Sequence, residues 1–590
     1  MPHNLFGVDV AGLEVASFIA NWRVAYVGLA LAGLWLVAWR RRAGWLVLGL
    51  LGANTLAWAV TTYPLQRLYA LGVGHDRVSN VAYCQVAAAG NSPLETMQVG
   101  YTHFSRNGRP HHVLWGALVA ALSGWDPGRV LTLYGWLPLL MLWGVVLSLY
   151  FGLRSPPGDG DWSPWERALV AGGATLLCAS PLDFTSPYSP AWPMTFLLKP
   201  NHALGLVLFP WVLAACVRGR GGRGRLVTAL LLHLLGWAFV LHAVYAAWGL
   251  ALFAALSWWS GPRGQRRRDV LDALVPLALN AALTGPIVVR LVADRLARPV
   301  DVFSQLPAAT AHLLEPTARV GAVFLVAAWG SWIAFRRGDR MGRLLSAQWI
   351  GALSIWAGYA GLSAWGLVEA PDEIYYWLRV LTGALAGVGL WDLAGRAGRG
   401  IPALAHDPAR RAAAASLAAL PWTLPYWWDP PRMDRYFERS RQPLPALLTA
   451  PGEFFRRQTP PGAVVASDPT FAWWMAALSG RRALLSQGLP AGPDFGTRLQ
   501  VLATLVEAED SATLWASAAP YGVTHLAVTP ALLAQHGLSL AQLEARSHLH
   551  RVYFTGEAAG NFVAVFELEP SPGGGPSWTS VEVSPRPAAR

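Results

Sequence analysis

The sequence has a single lysine, Lys199, although lysines and arginines together number 46. Cysteine is also scarce: Cys84, Cys178 and Cys216 are odd in number and unrelated in spacing, which argues against a disulfide framework and against a zinc site. Charged residues make up 14% of the chain, fewer than the roughly 25% of ordinary soluble domains. The first residues lack the basic segment of a cleaved signal peptide, so we expect the first apolar run to remain a membrane span.

Apolar residues dominate the rest of the composition. They make up 54% of the 590 residues, tryptophans number 31, and the mean hydropathy is +0.34. This balance indicates an integral membrane protein. The apolar runs predict about twelve spans. They lie near residues 17–39, 43–60, 129–151, 166–180, 202–217, 226–241, 242–259, 269–292, 317–335, 344–365, 376–394 and 410–426.

The arginines lie in short clusters that occupy every second connection, at residues 40–42, 218–225, 263–268, 336–343 and 395–411. A net charge of +12 can indicate nucleic-acid binding, but these clusters alternate with apolar runs and form no single basic face. We therefore predict no nucleic-acid partner and assign the clusters to the cytoplasmic side. The N-terminus, the loops at 61–128, 181–201, 293–316 and 366–375, and everything after 427 are then external.

Aromatic residues and one short apolar segment mark the predicted external surface. HHVLWGALVAALSG, from residue 111, is too short to cross a bilayer and predicts an interfacial helix. EIYYWLRV at 373–380 and PWTLPYWW at 421–428 are typical of rings that anchor at headgroup level. We predict that the transmembrane domain, including its long first external loop, covers residues 1–426.

Hydropathy falls after Trp428. Strand-like runs begin at residues 463, 524, 551 and 562 and alternate with helix-like segments. We predict an external α/β domain at 427–570, followed by a disordered tail at 571–590.

Polar residues of the external loops predict chemistry at the membrane surface. A carboxylate that faces cations there fits a reaction in which an acceptor hydroxyl loses a proton while an anionic group departs. Soluble nucleotide sugars stay in the cytoplasm, so an activated sugar used outside arrives on a lipid phosphate. Lysine and arginine both suit phosphate oxygens. The candidates are His75, Asp76, Glu95, Asp183, Lys199, Asn201, His202, His242 and Arg379.

The order of these segments resembles the GT-C superfamily of polytopic glycosyltransferases, which use polyprenyl-phosphate sugars. The resemblance rests on GHD at 74–76, on RPHHVLWGALVAALSG followed by DPGRVLTLYGWLPLLMLW, and on FVLHAVYAAW around His242. In addition, residues 459–485 resemble the external domain of bacterial members. The resemblance implies an α-helical polytopic membrane protein with about twelve transmembrane helices and a C-terminal extracytoplasmic α/β domain.

The resemblance also implies a function. A sugar would pass from a polyprenyl-phosphate donor to an envelope lipid or polysaccharide at the external face of a bacterial inner membrane, with membrane lipids as further partners. Asp76 would be the general base or would orient the acceptor. Substrate-binding residues would be His75, Lys199, Asn201, His202, His242 and Arg379. The sequence lacks a second acidic residue beside Asp76, so a divalent cation, Mg²⁺ or Mn²⁺, stays open and no metal ligand is assigned.

Several candidates have structural alternatives. Asp76 also fits a helix cap, and Glu95 and Asp183 compete with it as the acid. Lys199 also fits a snorkelling anchor of the following span. His202 and His242 fit hydrogen-bonded interfacial residues, and His233 fits a buried, hydrogen-bonded core residue better than a ligand.

Two other functions remain open from the sequence. A polytopic transporter usually carries ionisable residues near the membrane midplane, where this sequence offers chiefly His233 and Asn280. A catalytically silent relative would keep the fold and serve envelope assembly.

Overall fold

The computed structural model of the protein describes residues 4–5, 8–9, 33, 42–61, 75–102, 111–154, 162–176, 200–219, 221–296, 322–364, 372–419, 445–486, 494–557 and 560–568. The helices of the first three-quarters of the chain are α1 (Ala43–Thr61), α2 (His75–Ala88), α3 (His111–Leu122), α4 (Pro127–Gly152), α5 (Pro164–Leu176), α6 (Pro200–Arg218), α7 (Gly221–Ala238), α8 (Val240–Ser260), α9 (Arg266–Leu296), α10 (Ala322–Arg336), α11 (Arg340–Ala364), α12 (Asp372–Ala397), α13 (Pro402–His406) and α14 (Pro408–Ala419). The later helices are α15 (Ala446–Gln458), α16 (Pro469–Ser479), α17 (Phe495–Glu507), α18 (Ser511–Ala518), α19 (Pro530–Gln535) and α20 (Leu540–Glu544). The strands are β1 (Asn4–Leu5), β2 (Val8–Asp9), β3 (Val464–Ala466), β4 (Arg482–Ala483), β5 (His525–Val528), β6 (Leu549–Gly556) and β7 (Phe562–Leu568).

Within the described residues, each apolar run predicted from residue 43 onward coincides with a helix, and the apolar segment from residue 111 forms α3. Within the described residues, two segments are long and apolar enough to cross a membrane: Val240–Ser260 and Trp377–Ala397. The predicted span at 17–39 lies outside the described residues except for Gly33. The number of spans stays a prediction.

The chain divides into two compact units. Unit 1 comprises Met1–Tyr69 and Gly135–Gln442, and unit 2 comprises Ala70–Tyr134 and Pro443–Arg590. The first predicted external loop therefore belongs to the same unit as the C-terminal segment. The domain bounds predicted from the sequence, 1–426, 427–570 and 571–590, stay predictions, and the predicted tail lies outside the described residues.

In unit 1, glycines allow α12 to approach α5 and α10 closely. A Cβ atom added to Gly173 of α5 would lie 2.0 Å from the carbonyl oxygen of Gly383 in α12, and one added to Gly330 of α10 would lie 1.9 Å from that of Leu385. Small residues at such crossings let helix backbones touch, which is how membrane helices gain packing energy. α12 is thus held between two neighbours.

Replacing Gly173 with alanine is expected to destabilise unit 1 by about 1–3 kcal/mol, because the added methyl group can fit only if α5 and α12 separate. Thermal unfolding in detergent measures the effect. Gly358→Ala is the matched control, since a Cβ at Gly358 of α11 meets no atom within 4 Å. Equal melting temperatures for the two variants would contradict the close crossing.

An ion-pair network joins α9 and α11 inside unit 1. Arg340 contacts Asp269 at 2.8 Å and Asp272 at 3.0 Å, and Arg343 contacts Asp269 at 2.8 Å; all four side chains are buried. Arg225, near the start of α7, reaches Asp272 at 3.0 Å. Arginines of the basic clusters therefore also have a structural role, which the sequence does not indicate.

Unit 2 contains a five-stranded mixed sheet in the order β4–β3–β5–β7–β6. The β3–β4 and β3–β5 pairs are parallel, and β7 is antiparallel to both β5 and β6. Strands β3, β5, β6 and β7 coincide with the four predicted strand-like runs, whereas β4 was not predicted. Asp468 begins α16 by accepting a hydrogen bond from the backbone of Phe471, so β3 leads directly into a capped helix.

Candidate functional site

The first turns of two helices bring two predicted site residues together in unit 1. His202 is the third residue of α6 and His242 the third of α8, and their ring centroids lie 5.2 Å apart. Trp377, in the second turn of α12, lies 4.7 Å from His242. All three side chains are fully buried, with at most 1% exposed. The first turns of α6 and α8 therefore pack together, and the second turn of α12 packs against them.

Aromatic rings complete this arrangement. Phe239 lies 4.5 Å from His202, and Phe209 lies 4.2 Å from Trp377. A Cβ atom at Gly205 would lie 2.1 Å from His242 Nδ1, so glycine provides the space for the imidazole. We call the group of His202, Phe209, Phe239, His242, Tyr245 and Trp377 the histidine–aromatic cluster.

The start of α6, which carries His202, favours negative charge beside it. A helix N-terminus has a partial charge of about +0.5 and unsatisfied backbone N–H donors, and both favour an anion. His202 and His242 are fully buried, and their rings pack together at the starts of α6 and α8; their substrate-binding role stays a prediction.

Arg379 is buried on a different face of α12. It lies two residues after Trp377, and at about 100° per residue the two side chains diverge by about 200°. Arg379 shares its face with Gly383, which contacts α5 at Gly173. The structure therefore places Trp377 against His242 and Arg379 on the side of α5.

Other predicted site residues are described only in part. His75 and Asp76 are the first two residues of α2, and Asn201 is the second of α6; their side chains are not among those described. Lys199 and Asp183 lie outside the described residues. Glu95, the alternative acid, forms an ion pair with Arg482 at 3.1 Å in unit 2.

His233 belongs to a hydrogen-bonded chain between α7 and α9. Trp237 Nε1 donates to His233 Nε2 at 3.0 Å, so Nδ1 carries the proton of the neutral ring and donates to Thr284 Oγ1 at 3.0 Å. Thr284 then donates to Asn280 Oδ1 at 2.7 Å. The predicted hydrogen bonds of His233 are confirmed, whereas the side chain is half-buried and not fully buried as predicted. The two residues named as transporter candidates, His233 and Asn280, therefore join these two helices.

Sequence reasoning missed part of the cluster. Trp377 was predicted as a belt anchor, and this prediction is wrong because Phe209, His242 and Tyr245 pack around its ring. Phe239 and Gly205 were not singled out, since an isolated glycine or aromatic residue in an apolar run gives no signal.

The metal prediction remains open. Among the described residues, no three or more histidine, cysteine, aspartate or glutamate side chains gather closely enough to hold a metal ion. The divalent cation therefore stays a prediction, and no reaction step is derived through it.

The fold resembles that of solved glycosyltransferases. The structure of ArnT from Cupriavidus metallidurans in the apo state matches with 12% sequence identity. The match covers 89% of this chain and 98% of the ArnT chain, with a TM-score of 0.51. The complex of ArnT with undecaprenyl phosphate matches with 13% sequence identity, covers 90% of this chain and 99% of the ArnT chain, and has a TM-score of 0.50. The chain has a GT-C fold.

Another GT-C structure also aligns. The apo oligosaccharyltransferase of Archaeoglobus fulgidus has 12% identity over 88% of this chain and 74% of its own, with a TM-score of 0.49. No protein-family model matches the chain, and no curated protein matches it significantly. At these identities the structural similarity establishes the GT-C fold and leaves the activity to the site itself.

Proposed function

We propose that the protein is an integral membrane glycosyltransferase that moves a sugar from a polyprenyl-phosphate donor to an envelope lipid or polysaccharide on the external face of a bacterial inner membrane. The GT-C fold supports this function, and the similar ArnT structure is a complex with undecaprenyl phosphate. The observation that carries the proposal is the meeting of the first turns of α6 and α8 at the histidine–aromatic cluster.

The depth of the cluster suits a lipid phosphate. Helix α6 has 19 residues, a length of about 28 Å, close to the roughly 30 Å of a bilayer core. His202 lies at its start, and near its end Arg340 donates to the carbonyl oxygens of Val217, at 3.0 Å, and Cys216. His202 of the cluster and the basic network thus lie at opposite ends of one helix. In the proposed topology the cluster is at the external headgroup level.

The predicted residues take different roles. Lys199 and Asn201, beside the start of α6, contact the donor phosphate, and His202 and His242 pack at the starts of α6 and α8. His75 is proposed as a substrate contact beside Asp76, whereas Arg379, buried on the α5 side of α12, is given no phosphate contact. Asp76 accepts the proton of the acceptor hydroxyl. The acceptor oxygen bonds to the anomeric carbon as the bond from that carbon to the phosphate oxygen breaks. Polyprenyl phosphate leaves with the electron pair, and the anomeric configuration inverts.

Lys199→Gln is expected to weaken the binding of undecaprenyl phosphate by about 10- to 100-fold, because a charge-assisted hydrogen bond contributes about 1.5–3 kcal/mol. Titration of the purified full-length protein in nanodiscs measures the dissociation constant. Arg399→Gln is the matched control, since it removes one positive charge from a basic cluster at an exposed position. Equal losses in both variants, or no saturable binding by the wild type, would contradict the proposal.

A further inference from the structure

The first external loop completes the sheet of unit 2. The backbone N–H of Ala483 in β4 donates to the Met97 carbonyl at 2.8 Å, and that of Val99 donates to the Ala483 carbonyl at 3.0 Å. Gln98 thereby forms a parallel bridge with Ala483 on the outer side of β4. These bonds cover an edge that would otherwise expose unpaired backbone groups. The loop is therefore a structural part of the C-terminal domain.

The helix that begins at His75 is also part of this unit's interior. Every residue from Val78 to Ala88 is buried, and α2 packs against α16. Trp473 Nε1 of α16 donates to Ser79 Oγ at 3.2 Å. Gly480 ends α16 with a φ of 74°, and a Cβ atom there would lie 2.5 Å from the carbonyl oxygen of Gln85. The absence of a side chain at Gly480 thus lets α2 pack closely against the end of α16.

A second set of contacts between the loop and the C-terminal segment lies further along the loop. The Arg498 guanidinium stands between the rings of Tyr101 and Tyr521, 4.8 Å from each centroid. The Tyr101 hydroxyl donates to Asp494, and burial together with this carboxylate raises the pKa of Tyr101 to about 12, so the hydroxyl keeps its proton. The ion pair of Glu95 with Arg482 adds a third connection.

Ser79 lies three residues, or one helical turn, after Asp76, and therefore on the same side of α2. We propose that the C-terminal α/β domain positions the turn that carries Asp76, and that Trp473 is a positioning residue for sugar transfer through its hydrogen bond to Ser79. This inference rests on the proposed function. A shift of about 1 Å in a reacting group can cost about 100-fold in rate, so a partial release of this turn is measurable.

The test compares Ser79→Ala, Trp473→Phe and the double variant of the full-length protein. Loss of one hydrogen bond is expected to lower kcat per folded molecule about fivefold in each single variant, and no further in the double variant. Backbone amides of residues 76–80 should exchange hydrogen about fivefold faster, while undecaprenyl-phosphate binding is unchanged. A lipid extract of the host membrane supplies donor and acceptor. Ser79→Thr, which keeps the hydroxyl, should restore kcat.

Trp515→Phe is the matched control, because Trp515 packs on the sheet core of the same unit, away from α2. It should change neither kcat nor the exchange of residues 76–80. Multiplying losses in the double variant, or unchanged exchange in both single variants, would overturn the positioning role. If the wild type transfers no sugar, the proposed function fails, and amide exchange alone decides whether Trp473 holds the turn.

Discussion

Asp76→Asn is expected to lower the rate of sugar transfer by about 100- to 10,000-fold, the usual contribution of a general base. The amide has nearly the same shape but cannot accept the proton of the acceptor hydroxyl. Undecaprenyl-phosphate binding should stay within about twofold of the wild-type value, because the proposed role of Asp76 is in proton transfer. Initial rates with a host lipid extract, followed by mass spectrometry of the glycosylated product, measure the loss.

Glu95→Gln is the matched control for the base. The Glu95 carboxylate is already engaged by Arg482, so its amide variant should retain most of the transfer rate and lose some stability. A large loss of transfer in Glu95→Gln with little loss in Asp76→Asn would move the base to Glu95. A large loss of transfer in Asp183→Asn, with little loss in Asp76→Asn, would assign the role of general base to Asp183.

Asp269→Asn is expected to lower the free energy of unfolding of unit 1 by about 3–5 kcal/mol, because removal of one member of a buried ion pair leaves its partner charge uncompensated. Asp269 is fully buried and contacts both Arg340 and Arg343 at 2.8 Å. Without it, Arg343 loses its carboxylate partner in this network. Thermal or denaturant unfolding of the purified protein in detergent measures the change.

Arg268→Gln is the control for the network. Arg268 contacts Asp272 at 3.6 Å, and its side chain is 40% exposed, so solvent screens the pair and the expected loss is below about 1 kcal/mol. A similar loss of unfolding free energy in both variants would mean that the buried ion pairs contribute no more to stability than the exposed one.

The helices of unit 1 are predictable from the sequence because an apolar run long enough to cross a bilayer must satisfy its backbone internally, and a helix does so. Helix ends are less predictable. Helix α12 begins at Asp372, whereas the apolar run begins near residue 376, since the first turn carries the charges that a helix N-terminus tolerates.

The structure of unit 2 depends on contacts that the sequence pattern does not report. Strand β4 has only two residues, and it pairs with Gln98, almost 400 positions earlier. The burial of α2 has the same origin, because its partner Trp473 lies in the C-terminal domain. Local periodicity identifies the longer strands, but it cannot show that the first loop and the C-terminal segment form one unit.

The sequence predicts which residues belong to the candidate site and where they lie along the chain, but it does not predict the distances between them. Helix starts and external loops identify His202 and His242, but their 5.2 Å proximity depends on how α6 packs against α8. Trp377 shows the limit most clearly, because the same aromatic residue near a helix start can anchor at the membrane surface or pack in the interior. Only the neighbouring helices decide between these outcomes.

The most direct test of the proposed function is the release of polyprenyl phosphate during sugar transfer. Purified protein is incubated with a lipid extract of its host membrane, and mass spectrometry counts the free polyprenyl phosphate and the glycosylated acceptor. The account predicts that the wild type releases one polyprenyl phosphate for each sugar transferred and that Asp76→Asn releases almost none. Release equal in both proteins, or a product formed without release of polyprenyl phosphate, would contradict it.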